Sequence, residues 1–267
     1  MGLALDTVVT SAVNPGAGPA SFTATTSGDS LTVRNFAPSD YARLLMIARR
    51  GATSGFFRVR SPLLHDNVRG YMFTTGETPS LHAMPAEIAQ PLIAQDALIA
   101  EGSGGAAETD LGILGIFYSN LLGAAARLHM RGDFASLVKS MKPITVAVTS
   151  SATIGAWTDT VITTTEDLTH ANTDYAVLGY ISSVALGWVA IKGIDTGNLR
   201  VGGPGSVNVE DTSNHFLWQS FLHQLPLIPV INSANKGGTF VSVVDSAAST
   251  AATITLITAE LSQQLTS

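Results

Sequence analysis

The run Asp40-Tyr41-Ala42-Arg43-Leu44 returns as Asp174-Tyr175-Ala176-Val177-Leu178, 134 positions later in a chain of 267 residues, and Ile47 and Ile181 extend the match. An echo at half the chain length is far too long for a solenoid, whose repeats run to roughly 20–50 residues. It predicts two units of one fold in tandem, residues 1–134 and 135–267. Fainter echoes follow in the same order at offsets of 132 to 135 residues. Gly55-Phe56-Phe57-Arg58-Val59-Arg60 faces Gly187-Trp188-Val189-Ala190-Ile191-Lys192: a glycine, an aromatic and a β-like run that ends in a base. Phe22-Thr23 matches Trp157-Thr158, His82 matches His215, and Pro91-Leu92-Ile93 matches Pro226-Leu227-Ile228.

The local pattern is β. Ile144, Val146 and Val148 alternate with Thr145, Ala147 and Thr149, and Ile254 and Leu256 alternate with Thr253 and Thr255. Alternation of this kind lays one side of a strand on a core. Thr, Val and Ile also crowd 6–12, 158–165 and 239–258, and glycine-rich clusters at 14–19, 102–105, 202–206 and 235–238 read as turns. Three segments read as helix. Residues 78–90 open with a Thr/Ser cap, although Pro85 interrupts them; 212–224 carry Phe216, Leu217, Phe221 and Leu222 at helical spacing and stop before Pro226; 133–142 sit at the joint, with Asp133 as the cap. The expectation is an all-β chain of two sandwiches, each with a short helix in a late loop.

Composition narrows the function. Only 13% of residues are charged, against ~25% in ordinary globular proteins, and the mean hydropathy is +0.29. Broad subunit contacts would account for such a surface. The longest uncharged apolar runs, 111–126 and 176–191, fall short of the ~20 residues of a spanning helix. The first ten residues lack the basic and apolar regions of a secretory signal, and Asp6 stands where a myristoylation motif needs Ser or Thr. The absence of cysteine excludes disulfides and thiolate metal sites. A net charge of −6 argues against wholesale coating of nucleic acid and leaves no sequence-specific nucleic-acid partner expected.

Catalytic patterns are missing. No G-x-S-x-G, H-E-x-x-H, Walker A or G-x-G-x-x-G occurs. The six histidines form no H-x-H, and His215 and His223, eight apart, lack carboxylate company. Ser136-x-x-Lys139 and Ser233-x-x-Lys236 have the acylase spacing without companion motifs, and Arg131-Gly132-Asp133 reads as a helix start before it reads as an adhesion tripeptide. No enzyme activity, metal or cofactor is expected. The candidates that remain are surfaces. Six arginines fall between 43 and 69; by period two Arg43 and Arg49 share one strand face, and Arg58 and Arg60 another. Such faces are either salt-bridged or turned toward phosphates or acidic neighbours. Phe216, Trp218 and Phe221 form an aromatic helix for core or contact.

Paired sandwiches, a helix at the same place in each, few charges and no catalytic signature resemble the double jelly-roll major capsid proteins of tailless icosahedral viruses. The resemblance spans the whole chain and is architectural. It implies a homotrimer with six similar domains around its axis, a pseudo-hexagonal block that tiles a shell through broad, weakly charged faces. It also implies a place in the virion after synthesis in host cytoplasm, with other capsid or vertex proteins and an internal membrane surface as candidate partners. A two-domain carbohydrate-binding or phage spike or tail protein is the alternative, and an enzyme on a double sandwich the third reading.

Overall fold

The computed structural model describes residues 2–13, 22–25, 27–51, 53–64, 70–75, 80–83, 85–104, 109–123, 125–162 and 170–265. In chain order its strands up to the joint are β1 (Ala4–Val13), β2 (Thr23–Ala24), β3 (Ser27–Gly28), β4 (Ala42–Arg50), β5 (Gly55–Arg60), β6 (Tyr71–Thr75), β7 (Ser80–Ala83), β8 (Gln90–Leu92), β9 (Ile99–Ser103), β10 (Thr109–Tyr118) and β11 (Leu128–His129). After the short helix α1 (Arg131–Phe134) come β12 (Val138–Thr149), β13 (Thr158–Val161), β14 (Asp174–Ser182), β15 (Leu186–Lys192) and β16 (Val201–Gly205). Helices α2 (Val209–Thr212) and α3 (His215–His223) precede β17 (Ile228–Asn232), β18 (Phe240–Val244) and β19 (Ala251–Leu261). The chain is all-β, as its alternation predicts.

The strands make four antiparallel sheets. One carries the order β3-β1-β10-β4-β7, with β8 also on β4, and faces a second of order β2-β9-β5-β6. The third runs β11-β17-β14-β19-β12 and faces the fourth, β13-β18-β15-β16. Ile47, Leu114 and Ile116 meet Phe57, Val59 and Ala100 between the first two sheets. Ile144, Val146, Ile254 and Leu256 meet Val189, Ile191, Val241 and Val243 between the last two.

The two pairs are not separate bodies. Leu111 and Ile113 on the outer side of β10 pack with Trp188, Ala190 and Val244, and Trp157 closes the layer. Strand β10 is therefore covered on both sides, which explains its unbroken apolar run; a strand exposed on one side would alternate. Polar links cross the same seam. Trp157 Nε1 donates to Asp29 at 2.9 Å, the Thr7 amide donates to the Arg200 carbonyl at 2.9 Å, and Arg50 lies 3.6 Å from Asp245.

A bulge recurs. On β4, Leu44 lies opposite Ile116 and Met46 opposite Gly115, so Leu45 has no partner on β10. On β14, Val177 lies opposite Thr258 and Gly179 opposite Ile257, so Leu178 has none on β19. Each unpaired leucine follows three paired residues. One extra residue reverses the alternation beyond it: Ala42 and Leu44 face the same core as Ile47, while Leu45 and Met46 point to the other side.

Three sequence expectations need correction. The helix over 78–90 does not form. Ser80–Ala83 pair with Met46–Arg49 as β7, Pro85–Ile88 make a turn, and the pairing offered by β4 wins over a helix that Pro85 would break. The helix over 133–142 shrinks to α1 and a 3-10 turn at Ala135–Leu137, because Val138–Lys142 already pair with the end of β19; so short a helix has little to hold it alone. The glycine cluster at 202–206 is mostly strand β16. Its glycines clear space for what lies on it: a Cβ at Gly203 would stand 2.2 Å from His215 Nε2 and 2.5 Å from the Tyr180 hydroxyl. Cluster 102–105 likewise begins in β9, and 14–19 lies outside the described residues, as does most of the expected strand beyond Val161.

Candidate assembly surfaces

The arginine cluster divides. Arg49 is wholly buried, with its Nε and Nη2 donating to the two carboxylate oxygens of Asp110 at 2.8 and 2.7 Å and its Nη1 to the Thr53 carbonyl at 2.6 Å. It is no surface group. The bulge at Leu45 separates it from Arg43, so the two do not share a face. Arg43 instead donates to the Ala89 carbonyl at 3.2 Å and lies over the Tyr41 ring.

Arg58 and Arg60 do share a face, because Phe57 and Val59, which alternate with them, turn into the core. Both bind Glu101 across β9, Arg60 Nε at 2.9 Å, and Arg58 also covers the Phe22 ring. Burial alone would raise the Glu101 carboxyl, but the hydrogen bonds from Arg60 and Arg58 outweigh it and hold the group below its ordinary 4.5. This is a salt-bridged strand face. On β15 the matching base, Lys192, is paired with Asp159 at 2.6 Å. Arg69 lies outside the described residues.

The recurring Asp-Tyr has a structural task. Asp174 is fully buried at the start of β14. It accepts from Arg127 Nη1 at 2.9 Å and Nη2 at 2.6 Å, from Asn232 Nδ2 at 2.7 Å and from the Leu265 amide at 2.8 Å. Asp40, just before β4, accepts from Ser119 Oγ at 3.4 Å and Asn120 Nδ2 at 3.3 Å. Each aspartate thus holds the chain where it leaves the last strand of its sheet, β10 or β19. Burial works against ionisation of Asp174, but Arg127 leads a set of donors that keeps its carboxyl below 3.8.

Helix α3 has two aromatic sides. His215, Phe216, Gln219, Ser220 and His223 are buried. Phe216 lies 6.0 Å from the Tyr180 ring and 5.3 Å from His215, so it belongs to the core. Trp218, Phe221 and Leu222, at helical spacing on the other side, are 59%, 67% and 41% exposed, with the two rings edge to face. Helical spacing groups Phe216, Leu217, Phe221 and Leu222, yet of these Phe216 alone is in the core and Leu217 packs partly against it. The helix begins after Asn214 without a side-chain cap, and the α2–α3 turn presses so closely on β14 that a Cβ at Gly179 would meet the Thr212 and Ser213 carbonyls at 2.3 and 2.4 Å.

Beside this exposed side runs a groove of about 540 Å³, walled by Trp218, Phe221, Leu217 and Met130 with Arg131 at its margin. Asp133 is the third residue of α1, not its cap: its carboxylate turns back to accept the Met130 amide at 2.8 Å. The tripeptide therefore contributes its arginine to the groove and its aspartate to the helix start. Burial pushes the His215 ring down to about 4, with the Gly202 carbonyl accepting from Nε2 across 3.3 Å, and His223 Nε2 meets Gln219 at 2.9 Å. Among the described residues no three His, Asp or Glu side chains converge as a metal site would require, and no helix is long and apolar enough to cross a membrane.

No protein-family model matches this chain, and no curated protein matches it. Several solved chains are similar to it, two of which follow. The crystal structure of the PBSX exported protein XepA shares 7% identity and a TM-score of 0.23 over 94% of this chain and 85% of that one. A protein described under the triple jelly roll fold and turret assembly in an archaeal virus shares 10% identity and a TM-score of 0.25 over 94% of this chain, which spans 59% of the other's length. At those scores both are loose likenesses, and neither assigns the chain to a family.

Proposed function

We propose that this chain is a shell-building structural protein, a viral major capsid protein of two tandem jelly rolls, residues 1–134 and 135–267, that assembles as a homotrimer. The carrying observation is the strand order. Reading β1, β10, β4, β8 against β12, β19, β14, β17, and β2, β9, β5, β6 against β13, β18, β15, β16, eight strands of each half correspond, with β3, β7 and β11 outside the match. The unpaired Leu45 and Leu178 stand at the same point of the matching strands. Two like sandwiches per chain allow three chains to present six like units around an axis, so that a threefold block fills a hexagonal position. The neutral outer side of β12 and β19, where Ala147, Thr149 and Thr253 are exposed, suits lateral packing.

In this reading the chain's partners are its own copies, then other capsid or vertex proteins, and its place is the virion. The salt-bridged Arg58 and Arg60 argue for a contact between protein surfaces ahead of an internal membrane surface. Light scattering on purified protein tests the assembly: the expected mass is three times the 27.7 kDa of the chain, with hexagonal outlines by electron microscopy. A monomer at high concentration overturns the reading.

The exposed Trp218 and Phe221 favour a second reading, a carbohydrate-binding or spike component, since exposed aromatic rings in a groove suit sugar faces. A glycan array without hits removes it.

A further inference from the structure

We propose that the groove beside α3 receives the Pro85–Ala89 turn of a second copy of this chain. The inference rests on the trimeric reading and names the surfaces that make the contact. Ile88 is 75% exposed, the barest large apolar side chain in the described residues, and it stands on a turn closed by the Ile88 and Ala89 amides donating to the Pro85 carbonyl at 3.1 and 2.9 Å. It is a preformed knob. The groove is its complement: about 540 Å³, walled by Trp218, Phe221 and Met130, all bare in the single chain.

Charge fixes the direction. Arg131 borders the groove and Glu87 adjoins Ile88 in the turn; both are exposed, and neither has an ion-pair partner among the described residues. Ile88 seated between Trp218 and Phe221 brings the Glu87 carboxylate to the rim where Arg131 waits. Pairing groove with groove about a twofold axis would leave both knobs bare and bring no carboxylate to Arg131. The contact is therefore heterologous, knob of one copy to groove of the next, and a contact of that kind makes a ring where its rotation closes, here at three copies. The knob lies before β8 in the first half, and the groove lies between α3 of the second half and the Met130–Gly132 segment at the joint, so each chain offers one of each.

The experiment is the mass of four variants by light scattering across a dilution series, with circular dichroism to check folding. Ile88→Asp is expected to dissociate at concentrations where the unaltered chain is trimeric. Arg131→Glu and Glu87→Arg each raise the concentration needed for assembly by at least about tenfold, and the double variant Arg131→Glu/Glu87→Arg recovers most of that loss. An unaltered chain that is trimeric while all four variants match it overturns this surface and leaves the trimer standing. A double variant no better than the singles overturns the charge pairing and the proposal with it. A neutral oligosaccharide that quenches Trp218 in the intact trimer shows an open groove and overturns it too. An unaltered chain that stays monomeric ends both the trimeric reading and the contact.

Discussion

Arg49 on β4 and Asp110 on β10 close a two-bonded ion pair inside the first pair of sheets, their side chains 0% and 2% exposed. Removing one partner strands a charge in the core, which costs about 3–5 kcal/mol, whereas replacing both with apolar groups of like size is often near neutral. Asp110→Leu and Arg49→Met are each expected to lower stability by that amount in urea titrations. The double variant is expected to lie closer to the unaltered chain than either single one.

The two aspartates of the repeated run differ in weight. Asp174 is fully buried and accepts four hydrogen bonds, two of them from a guanidinium, whereas Asp40 is half-buried and accepts two long ones. Asp174→Ala is expected to cost about 3 kcal/mol or more, and Asp40→Ala about 1 kcal/mol or less. Thermal unfolding of the two variants side by side checks the order.

His215 sets an acid limit. The folded chain keeps its imidazole neutral down to about 4, while the unfolded chain takes up a proton near 6.5. Its contribution is intact above 6.5 and is lost as the pH falls from there to about 4. A shift of that size corresponds to roughly 3 kcal/mol. Unfolding midpoints measured between those limits should fall steeply for the unaltered chain and much less for His215→Gln. The carboxyls of Asp174 and Glu260, held below their ordinary values, act further down the acid side.

The glycine floor of β16 is tight. A methyl group at Gly203 meets His215 and the Tyr180 hydroxyl, which itself donates to the Pro204 carbonyl at 2.9 Å. Gly203→Ala is expected to cost about 1–3 kcal/mol by overpacking. Adding His215→Ala should return part of that, since it removes the atoms in the way. Chemical denaturation of the single and double variants decides it.

Much of this could be read from the residues. The alternation at Ile144–Thr149 and Thr253–Leu256 became β12 and β19, and the unbroken run from Leu111 became a strand covered on both sides. What escaped was non-local. No local signal places one unpaired residue at Leu45, yet that residue sends Arg43 and Arg49 to opposite sides. Pro85 was the hint against the helix over 78–90, and the edge of β4 decided it. Glycines 202, 203 and 205 looked like a turn because their cause, His215 and Leu186 lying against them, is set by contacts across the fold. Of the surface residues, Trp218 and Phe221 stand exposed, Phe216 and Arg49 are interior, and Arg58 and Arg60 share Glu101. Glu87, Ile88 and Arg131 were not legible as a set, since only the fold leaves them exposed and without ion-pair partners among the described residues.

The layer in which Trp188 and Val244 rest on Leu111 and Ile113 has a cost for anyone who would divide the gene. Either piece made by itself would turn a greasy wall to water and clump. Cut between them but produced in one cell, the fragments should find each other and elute as one particle, because what joins them is the wall and not the peptide bond.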